Sequence, residues 1–192
     1  MQKDRPEICF ATSNRNKFVE AQLVMKEYGI RLAFLGSRGV EIQSDSLEEI
    51  AKQSAITSST NARIAVIAED AGLFVDALRG FPGPYSSFTF RTLGCKGVLK
   101  LMEEISDRKS RFVSAVAYCE PHSQPICFSG VSEGILEIEA RGNRGFGFDP
   151  IFTPSEAGRK TFAEMSQVEK SRYSHRAKAF RKFAEWFVGS KP

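Results

Sequence analysis

The pattern of apolar and polar positions at the start of the chain predicts, in order, a strand, a polar turn, a helix and a second strand. Residues 7–11 form a short, mainly apolar run that predicts a buried strand. Apolar side chains then recur at helical spacing from Phe18 to Tyr28, and Gly29 is typical of a helix end. Residues 30–35 predict the next strand. This order is typical of the opening of an α/β protein.

The middle of the chain again predicts a helix followed by a strand. Ser46 and Glu49 form a capping-box pattern that predicts a helix running to about Asn61. Residues 64–68 are wholly apolar, which predicts a central strand that ends at residues 69–72.

The same helical and strand spacings of apolar residues predict the elements in the rest of the chain. The inner face predicted for the last helix is apolar and consists of Ala177, Phe180, Phe183, Ala184 and Phe187. The predicted elements are a helical stretch at about 87–105 with a break near Gly94 or Gly97, antiparallel strands at 111–118 and 126–138, and helices that begin near 167 and 174.

Length and composition predict one α/β domain, built as a single body or as two lobes around one sheet. The chain has 192 residues, of which 42% are hydrophobic. No stretch approaches the ~20 apolar residues of a membrane span. The four cysteines form no Cys-x-x-Cys pair, so a zinc site is not expected, and they are interpreted as free thiols in a reducing compartment. We expect a soluble, cytoplasmic protein that does not bind membranes.

The net charge of +4 is unevenly distributed. Residues 158–192 carry nine Lys and Arg against three Glu, whereas the rest carries 18 basic against 20 acidic residues. A solvated helix face and an anionic ligand such as phosphate both explain this stretch. Nucleic acid is less favoured, because the basic residues alternate with an apolar stripe and do not form a separate arm.

A polar turn lies between the first predicted strand and helix. A helix N-terminus offers unpaired N–H groups and partial positive charge, which favour phosphate. The turn lacks the spacing of a Walker A loop, and an ordinary N-cap by Ser13 or Asn14 explains it equally well. The residues of the turn are Thr12, Ser13, Asn14, Arg15, Asn16 and Lys17.

Two adjacent carboxylates, Glu69 and Asp70, follow the predicted central strand. In open α/β sheets the ligand crevice lies at the carboxyl ends of strands. A hard divalent cation would explain two like charges there, with Glu41 as a third candidate carboxylate. A solvated acidic turn is the alternative.

Two further segments near the C-terminus suit a flat, polar ligand. Glycines that flank a Phe let the backbone approach such a ligand while the ring stacks on it, although a hairpin loop with core aromatics is the alternative. Lys170, followed by Ser174, His175 and Arg176, favours recognition of an anion or a base, against an ordinary helix cap. The glycine-rich loop consists of Gly145, Phe146, Gly147, Phe148, Asp149 and Pro150.

Seven segments together closely resemble the Ham1-type inosine triphosphate pyrophosphatases over about residues 8–187. The resemblance implies an elongated two-lobed α/β fold, with a long central mixed sheet flanked by helices and an active site in the cleft between the lobes. It also implies a homodimer. The segments are residues 11–17, 69–73, 81–86, 145–150, 161–165, 169–170 and 174–176.

The resemblance further implies magnesium-dependent hydrolysis of ITP, dITP and XTP to the monophosphate and pyrophosphate. Glu41 and Asp70 would hold Mg²⁺, and Asp70 would activate the water, with Glu69 sharing that work. Thr12 to Lys17 and the backbone N–H of Ala71 would contact the triphosphate. The residues implied to flank the purine or meet its 6-oxygen are Phe146, Gly147, Phe148, Asp149, Lys170, His175 and Arg176.

The chain departs from the family at two positions. Ala71 stands where many members have Ser or Thr, and Ser54 stands where the family often has a phosphate-binding Lys. Lys52 faces roughly 200° away around the helix and should not replace it. Ser54 and the basic C-terminal stretch leave open a non-catalytic protein that binds nucleotides or nucleic acid. The other alternative is a Maf-like pyrophosphatase of other base specificity, against which residues 174–176 and 147–149 speak.

Overall fold

A mixed β-sheet flanked by helices forms the frame of the protein. The computed structural model describes residues 7–37 and 39–190, and residues 1–6, 38, 191 and 192 lie outside this description. The strands are β1 Glu7–Ala11, β2 Arg31–Leu35, β3 Val66–Val75, β4 Pro82–Gly83, β5 Lys109–Cys119, β6 Ile126–Leu136 and β7 Phe152–Pro154. The helices are α1 Arg15–Glu27, α2 Leu47–Ala62, α3 Ser86–Thr92, α4 Gly94–Leu101, α5 Gln167–Tyr173 and α6 His175–Gly189.

The described strands form one sheet in the order β2-β1-β3-β5-β6-β7, with β4 also paired to β3. β1 pairs in parallel with β2 and β3, whereas β3–β4 and β6–β7 are antiparallel. The predicted α/β class and mixed sheet are therefore confirmed. None of the described helices is long and apolar enough to cross a bilayer.

The chain divides into two compact units. Among the described residues, the first unit contains those up to Asp70, Ser114–Gly130 and those from Arg176 to Ser190. Its core forms where α6 packs its inner face on β1, with the rings of Phe10 and Phe180 5.4 Å apart. The predicted inner face of this last helix is confirmed, since all five of its side chains are buried.

The second unit contains Ala71–Val113 and Val131–His175. Its core combines aliphatic side chains with a group of aromatic rings, in which Phe112 contacts Phe152 with ring centroids 4.8 Å apart. The expectation of a single domain remains a prediction.

The predicted end of the central strand at residues 69–72 is wrong. β3 continues to Val75, because Leu73 and Phe74 find partners in Gly83 and Pro82 of β4. The Ser86 hydroxyl also accepts the N–H of Leu73 at 2.8 Å. Since successive side chains of a strand point to opposite faces, the acidic pair inside β3 is split between two faces of the sheet.

Capping residues place the helices close to their predicted starts. Asn14, Ser46 and Ser166 each cap a helix with a side-chain oxygen that accepts a backbone N–H of the first turn. The break in the 87–105 stretch falls at Gly94, whose φ of +63° is favourable for glycine. The helical stretch ends at Leu101, short of the predicted residue 105.

Candidate active site

The polar turn after β1 is built around Asn14. The Asn14 side-chain oxygen accepts the N–H groups of Asn16 and Lys17 at 3.0 and 3.2 Å, and the Thr12 hydroxyl accepts the N–H of Asn14. The capping alternative is therefore correct for Asn14, and two of the N–H groups at this helix start are already bonded. Contact between this turn and phosphate remains a prediction.

Lys17 projects from the first turn of α1 to Glu69 of β3. Its Nζ lies 2.9 Å from Glu69 Oε2 and 3.4 Å from the Glu69 carbonyl oxygen. The Lys17 side chain is 18% exposed, whereas that of Glu69 is fully buried. The ammonium group is thus held by the protein on one side and is partly open to solvent.

Glu69 is the centre of a buried charge network in the first unit. Its Oε1 accepts from Arg176 Nε at 3.1 Å and from the Ser114 hydroxyl at 2.7 Å. Arg176 Nη1 lies 2.6 Å from Glu20 Oε2. Burial alone would raise the pKa of Glu69, but the charges of Arg176 and Lys17 outweigh it, and the pKa is lowered. Glu69 is therefore an ionised counter-charge with both oxygens engaged.

Two members of this network, Glu20 and Ser114, were missed in the sequence. Glu20 lies three residues after Lys17, and this spacing places both side chains on one face of α1. That spacing was a usable signal for Glu20. Ser114 lies in β5, and nothing in the local sequence links it to Glu69.

The two carboxylates predicted to hold a metal lie in the same unit. Glu41 is exposed in the loop after β2, and Asp70 is half-buried in β3. Across residues 7–37 and 39–190, no three His, Cys, Asp or Glu side chains converge as a ready-made metal site. Ala71 follows Asp70 in β3 and is half-buried.

The remaining residues of the polar turn lie at the surface. Ser13, Arg15 and Asn16 are exposed, and the Arg15 guanidinium lies 4.8 Å from the centre of the Phe34 ring. Ser54, the position of the expected lysine, is buried in α2 and only 7% exposed.

In the second unit, the glycine-rich loop folds back on Asp149. The Phe146 N–H donates to Asp149 Oδ2 at 2.8 Å. Gly145 has a φ of +73°, and a Cβ there would lie 2.1 Å from the same oxygen. Glycine at 145 is therefore required both by the backbone conformation and by the close approach of the carboxylate.

Asp149 forms a buried ion pair with Lys170. Lys170 Nζ lies 2.5 Å from Asp149 Oδ2, and both side chains are at most 5% exposed. The ammonium also lies 5.0 and 5.2 Å from the ring centres of Phe146 and Phe162. Lys170 is thus held between a carboxylate and two aromatic faces.

The aromatic residues of the loop have different surroundings. Phe148 is 3% exposed and packs edge-on against Phe90 at 5.4 Å, so its ring belongs to the core, whereas Phe146 is half-buried. The His175 ring is buried and stacks on Phe112, with centroids 4.6 Å apart and planes 9° from parallel. Gly147 is half-buried, and its carbonyl accepts from the Cys95 thiol at 3.5 Å.

The predicted residues therefore form two groups. Lys17, Glu69 and Arg176 meet in the first unit, and Phe146, Asp149 and Lys170 meet in the second. A capped helix start with a lysine, and an Asp–Lys pair against aromatic rings, are groups suited to phosphate and to a base, respectively. Each group is described within its own unit, and the fold around them defines a protein of the α/β class.

Comparison with known proteins identifies the family. The model of the Ham1 family matches residues 8–186, and the chain belongs to that family.

Named relatives and a solved structure align over nearly the whole chain. The chain is 47% identical over 180 residues to the dITP/XTP pyrophosphatase of Methanopyrus kandleri, covering 94% of this chain and 95% of that protein. It is 49% identical over 175 residues to the dITP/XTP pyrophosphatase of Saccharolobus solfataricus, covering 91% of this chain and 90% of that protein. The HAM1 protein of Coxiella burnetii is 28% identical with a TM-score of 0.84, and the alignment covers 96% of this chain and 100% of that chain.

Proposed function

We propose that the protein hydrolyses the non-canonical purine nucleoside triphosphates ITP, dITP and XTP to the monophosphate and pyrophosphate, and so removes them from the cytoplasmic nucleotide pool. Relatives 42–49% identical to it carry the name dITP/XTP pyrophosphatase. The observation that carries the proposal is the Lys17 ammonium, which Glu69 holds at 2.9 Å while it stays partly exposed.

The phosphates are bound by the turn after β1. Lys17 and the positive end of α1 attract the triphosphate, with Thr12, Ser13, Arg15 and Asn16 adding donors. Charge that develops on the departing pyrophosphate is stabilised by the Lys17 ammonium. Because Glu69 fixes that ammonium in place, little reorganisation is needed during the reaction.

A divalent cation, Mg²⁺ in our proposal, is held by Glu41 and Asp70. Both Glu69 oxygens face cations or a hydroxyl, which makes Glu69 a poor ligand. Two carboxylates fit this ion, because Mg²⁺ is usually bound by one or two carboxylates and completes its shell with substrate phosphates and water. When bound, the ion would neutralise negative charge on the phosphates.

Asp70 accepts a proton from the water that attacks the α-phosphorus. This role falls to Asp70 because Glu69 is already an acceptor for Arg176 and Ser114. The two carboxylates point to opposite faces of β3, so they divide the work. Glu69 holds the cations in place while Asp70 takes the proton.

In the second unit, the Asp149–Lys170 pair, the Phe146 ring and His175 are proposed to recognise the purine. Arg176, the next residue along the chain, is a further candidate donor. Hypoxanthine and xanthine carry a carbonyl acceptor at position 6, whereas adenine carries an amino donor. A site that presents N–H donors leaves them unpaired against adenine, which costs about 1–3 kcal/mol per buried group.

A homodimer is part of the proposal. The segment around α3 exposes several large apolar side chains in the second unit, which is typical of an interaction surface. The exposed fractions are 38% for Phe81, 42% for Tyr85, 60% for Phe88, 40% for Phe90 and 46% for Leu93.

Pyrophosphate release from a panel of nucleoside triphosphates, with and without Mg²⁺, tests the activity. We expect ITP and XTP to be preferred over ATP by more than about tenfold, the equivalent of one buried unpaired donor. Preference for pyrimidines would favour the Maf-like alternative, and binding without turnover would favour the non-catalytic one. Asp70→Asn should abolish turnover and keep nucleotide affinity within about tenfold, and wild-type rates in that variant would exclude the mechanism.

A further inference from the structure

Helix α2 holds the loop that carries Glu41 at two points. The Val40 N–H donates to the Thr57 hydroxyl oxygen at 3.0 Å. Four residues later, the Ser44 hydroxyl donates to Glu49 Oε2 at 2.6 Å. Glu41 lies between these two attachments, in the same unit of the structure.

The first attachment is close-packed. A Cβ built on Gly39 would lie 2.0 Å from Thr57 Oγ1 and 2.4 Å from the backbone oxygen of Ser54. Only a residue without a side chain fits there unless the loop moves away from the helix. The loop backbone therefore rests directly on the turn of α2 that contains Ser54, the position of the expected lysine.

The Thr57 hydroxyl has a fixed orientation. It donates to the carbonyl of Gln53 at 2.9 Å, one helical turn earlier. With its hydrogen engaged by the helix, its lone pairs are available to the Val40 N–H. A single hydroxyl thus links the helix backbone to the loop backbone.

We propose that Thr57 and Gly39 are positioning residues that set the place of Glu41 for the divalent cation. This inference rests on the proposed function, in which Glu41 is a ligand. Mg²⁺ demands near-ideal octahedral geometry, so a ligand on a displaced loop binds it more weakly. Glu41 directly follows Val40, so release of the Val40 N–H moves the ligand itself.

Four single variants test the proposal. Thr57→Val keeps the shape and removes the hydroxyl, whereas Thr57→Ser keeps the hydroxyl. Thr60→Val is the matched control, because the exposed Thr60 hydroxyl donates only to the Ile56 carbonyl of the same helix at 2.9 Å. Gly39→Ala pushes the loop off the helix without changing any hydrogen-bonding side chain.

Three measurements are made on each full-length variant. Hydrogen exchange at the Val40 amide reports the attachment itself. Binding of Mn²⁺ in the presence of pyrophosphate, followed by electron paramagnetic resonance, reports cation affinity without turnover. The Mg²⁺ concentration for half-maximal ITP hydrolysis reports the same affinity in the working enzyme.

We expect Thr57→Val and Gly39→Ala to lose Val40 protection and to weaken Mn²⁺ binding by about fivefold or more, in keeping with a displaced octahedral ligand. Saturating Mg²⁺ should restore most of kcat. Thr57→Ser and Thr60→Val should stay within about twofold of wild type. Faster Val40 exchange with unchanged Mn²⁺ affinity would overturn the inference. A wild-type protein that releases no pyrophosphate from ITP would overturn the proposed function instead.

Discussion

The two buried carboxylates, Glu69 and Asp149, are neutralised in different ways. Glu69 is surrounded by polar groups from three other elements, namely Lys17 of α1, Ser114 of β5 and Arg176 of α6. Asp149 accepts from Lys170 and from the Phe146 N–H, and the Lys170 ammonium lies against aromatic rings.

The two lysine ammonium groups that pair with these carboxylates differ in their exposure to solvent. Lys17 is 18% exposed and keeps access to solvent, whereas Lys170 is 5% exposed and is enclosed by rings. A small charged group such as a phosphate can approach the first ammonium. The second ammonium is enclosed by Asp149 and by the Phe146 and Phe162 rings. The same type of ion pair thus leaves one ammonium partly open to solvent and encloses the other.

The largest expected effect is on stability, through loss of the Glu69 charge. Glu69→Gln removes the carboxylate that Arg176 and Lys17 share, while Arg176 keeps its pair with Glu20. Removal of one partner of a buried pair costs up to about 3–5 kcal/mol. The free energy of unfolding, measured by urea titration, should fall by that amount. The control is Asp76→Asn, because Asp76 and Arg111 form an exposed pair at 2.9 Å and such pairs contribute about 0–1 kcal/mol.

Equal losses in the two variants would contradict this comparison, since burial would then make no difference. A loss below about 1 kcal/mol for Glu69→Gln, the size typical of exposed pairs, would show that Glu20 compensates Arg176 and solvent compensates Lys17 without Glu69. In that case Glu69 would not be the fixed counter-charge that the proposed mechanism needs.

The elements were predictable from the sequence where local signals decide them. The capping residues Asn14, Ser46 and Ser166 and the break at Gly94 need no knowledge of tertiary structure. The end of β3 was not predictable in this way. It depends on pairing with β4 and on the Ser86 hydroxyl, which are contacts made only in the folded chain.

The candidate site was predictable as a set of residues and not as a network. The motifs identified Lys17, Glu69 and Arg176, but an adjacent acidic pair in the sequence suggested a shared role for Glu69 and Asp70. Because neighbours in a strand face opposite ways, the two side chains lie on opposite faces of the sheet once β3 is known to continue through both residues. The Thr57 contact with Val40 was equally invisible, since the two residues are 17 positions apart.

The second-largest expected effect is on base preference, and it distinguishes Lys170 from Lys17. Lys170→Met keeps an aliphatic side chain against the rings and removes the donor, so the ratio of kcat/KM for ITP to that for ATP should fall about tenfold. Lys17→Met should lower kcat/KM for both nucleotides by about a hundredfold and leave their ratio within twofold. Any general destabilisation cancels in the ratio. A similar change of ratio in both variants would remove the distinction between a phosphate lysine and a base lysine.

The smallest effect tests the Asp149 charge through a neighbouring thiol. Burial and, to a lesser extent, the Asp149 charge raise the pKa of Cys95 to about 11. Burial and the Glu48 charge raise the pKa of Cys127, in the first unit, to about 11 as well. Asp149→Asn removes a negative charge near Cys95, which lowers that pKa and increases the thiolate fraction at a given pH. Alkylation of Cys95 by iodoacetamide at pH 8.5 should accelerate about threefold, the effect of half a pKa unit.

Cys127 serves as the internal control in this experiment, since its rate should not change in Asp149→Asn. Glu48→Gln should produce the reverse result, with faster alkylation of Cys127 alone. A charge effect moves the midpoint of the rate–pH curve to lower pH, whereas local opening of the loop raises the rate at every pH, including the plateau. Acceleration with an unmoved midpoint would therefore mean that Asp149 holds the loop closed through its bond to the Phe146 N–H. The charge of the Asp149–Lys170 pair would then not reach beyond the pair, and the contrast with the open Lys17–Glu69 pair would be sharper still.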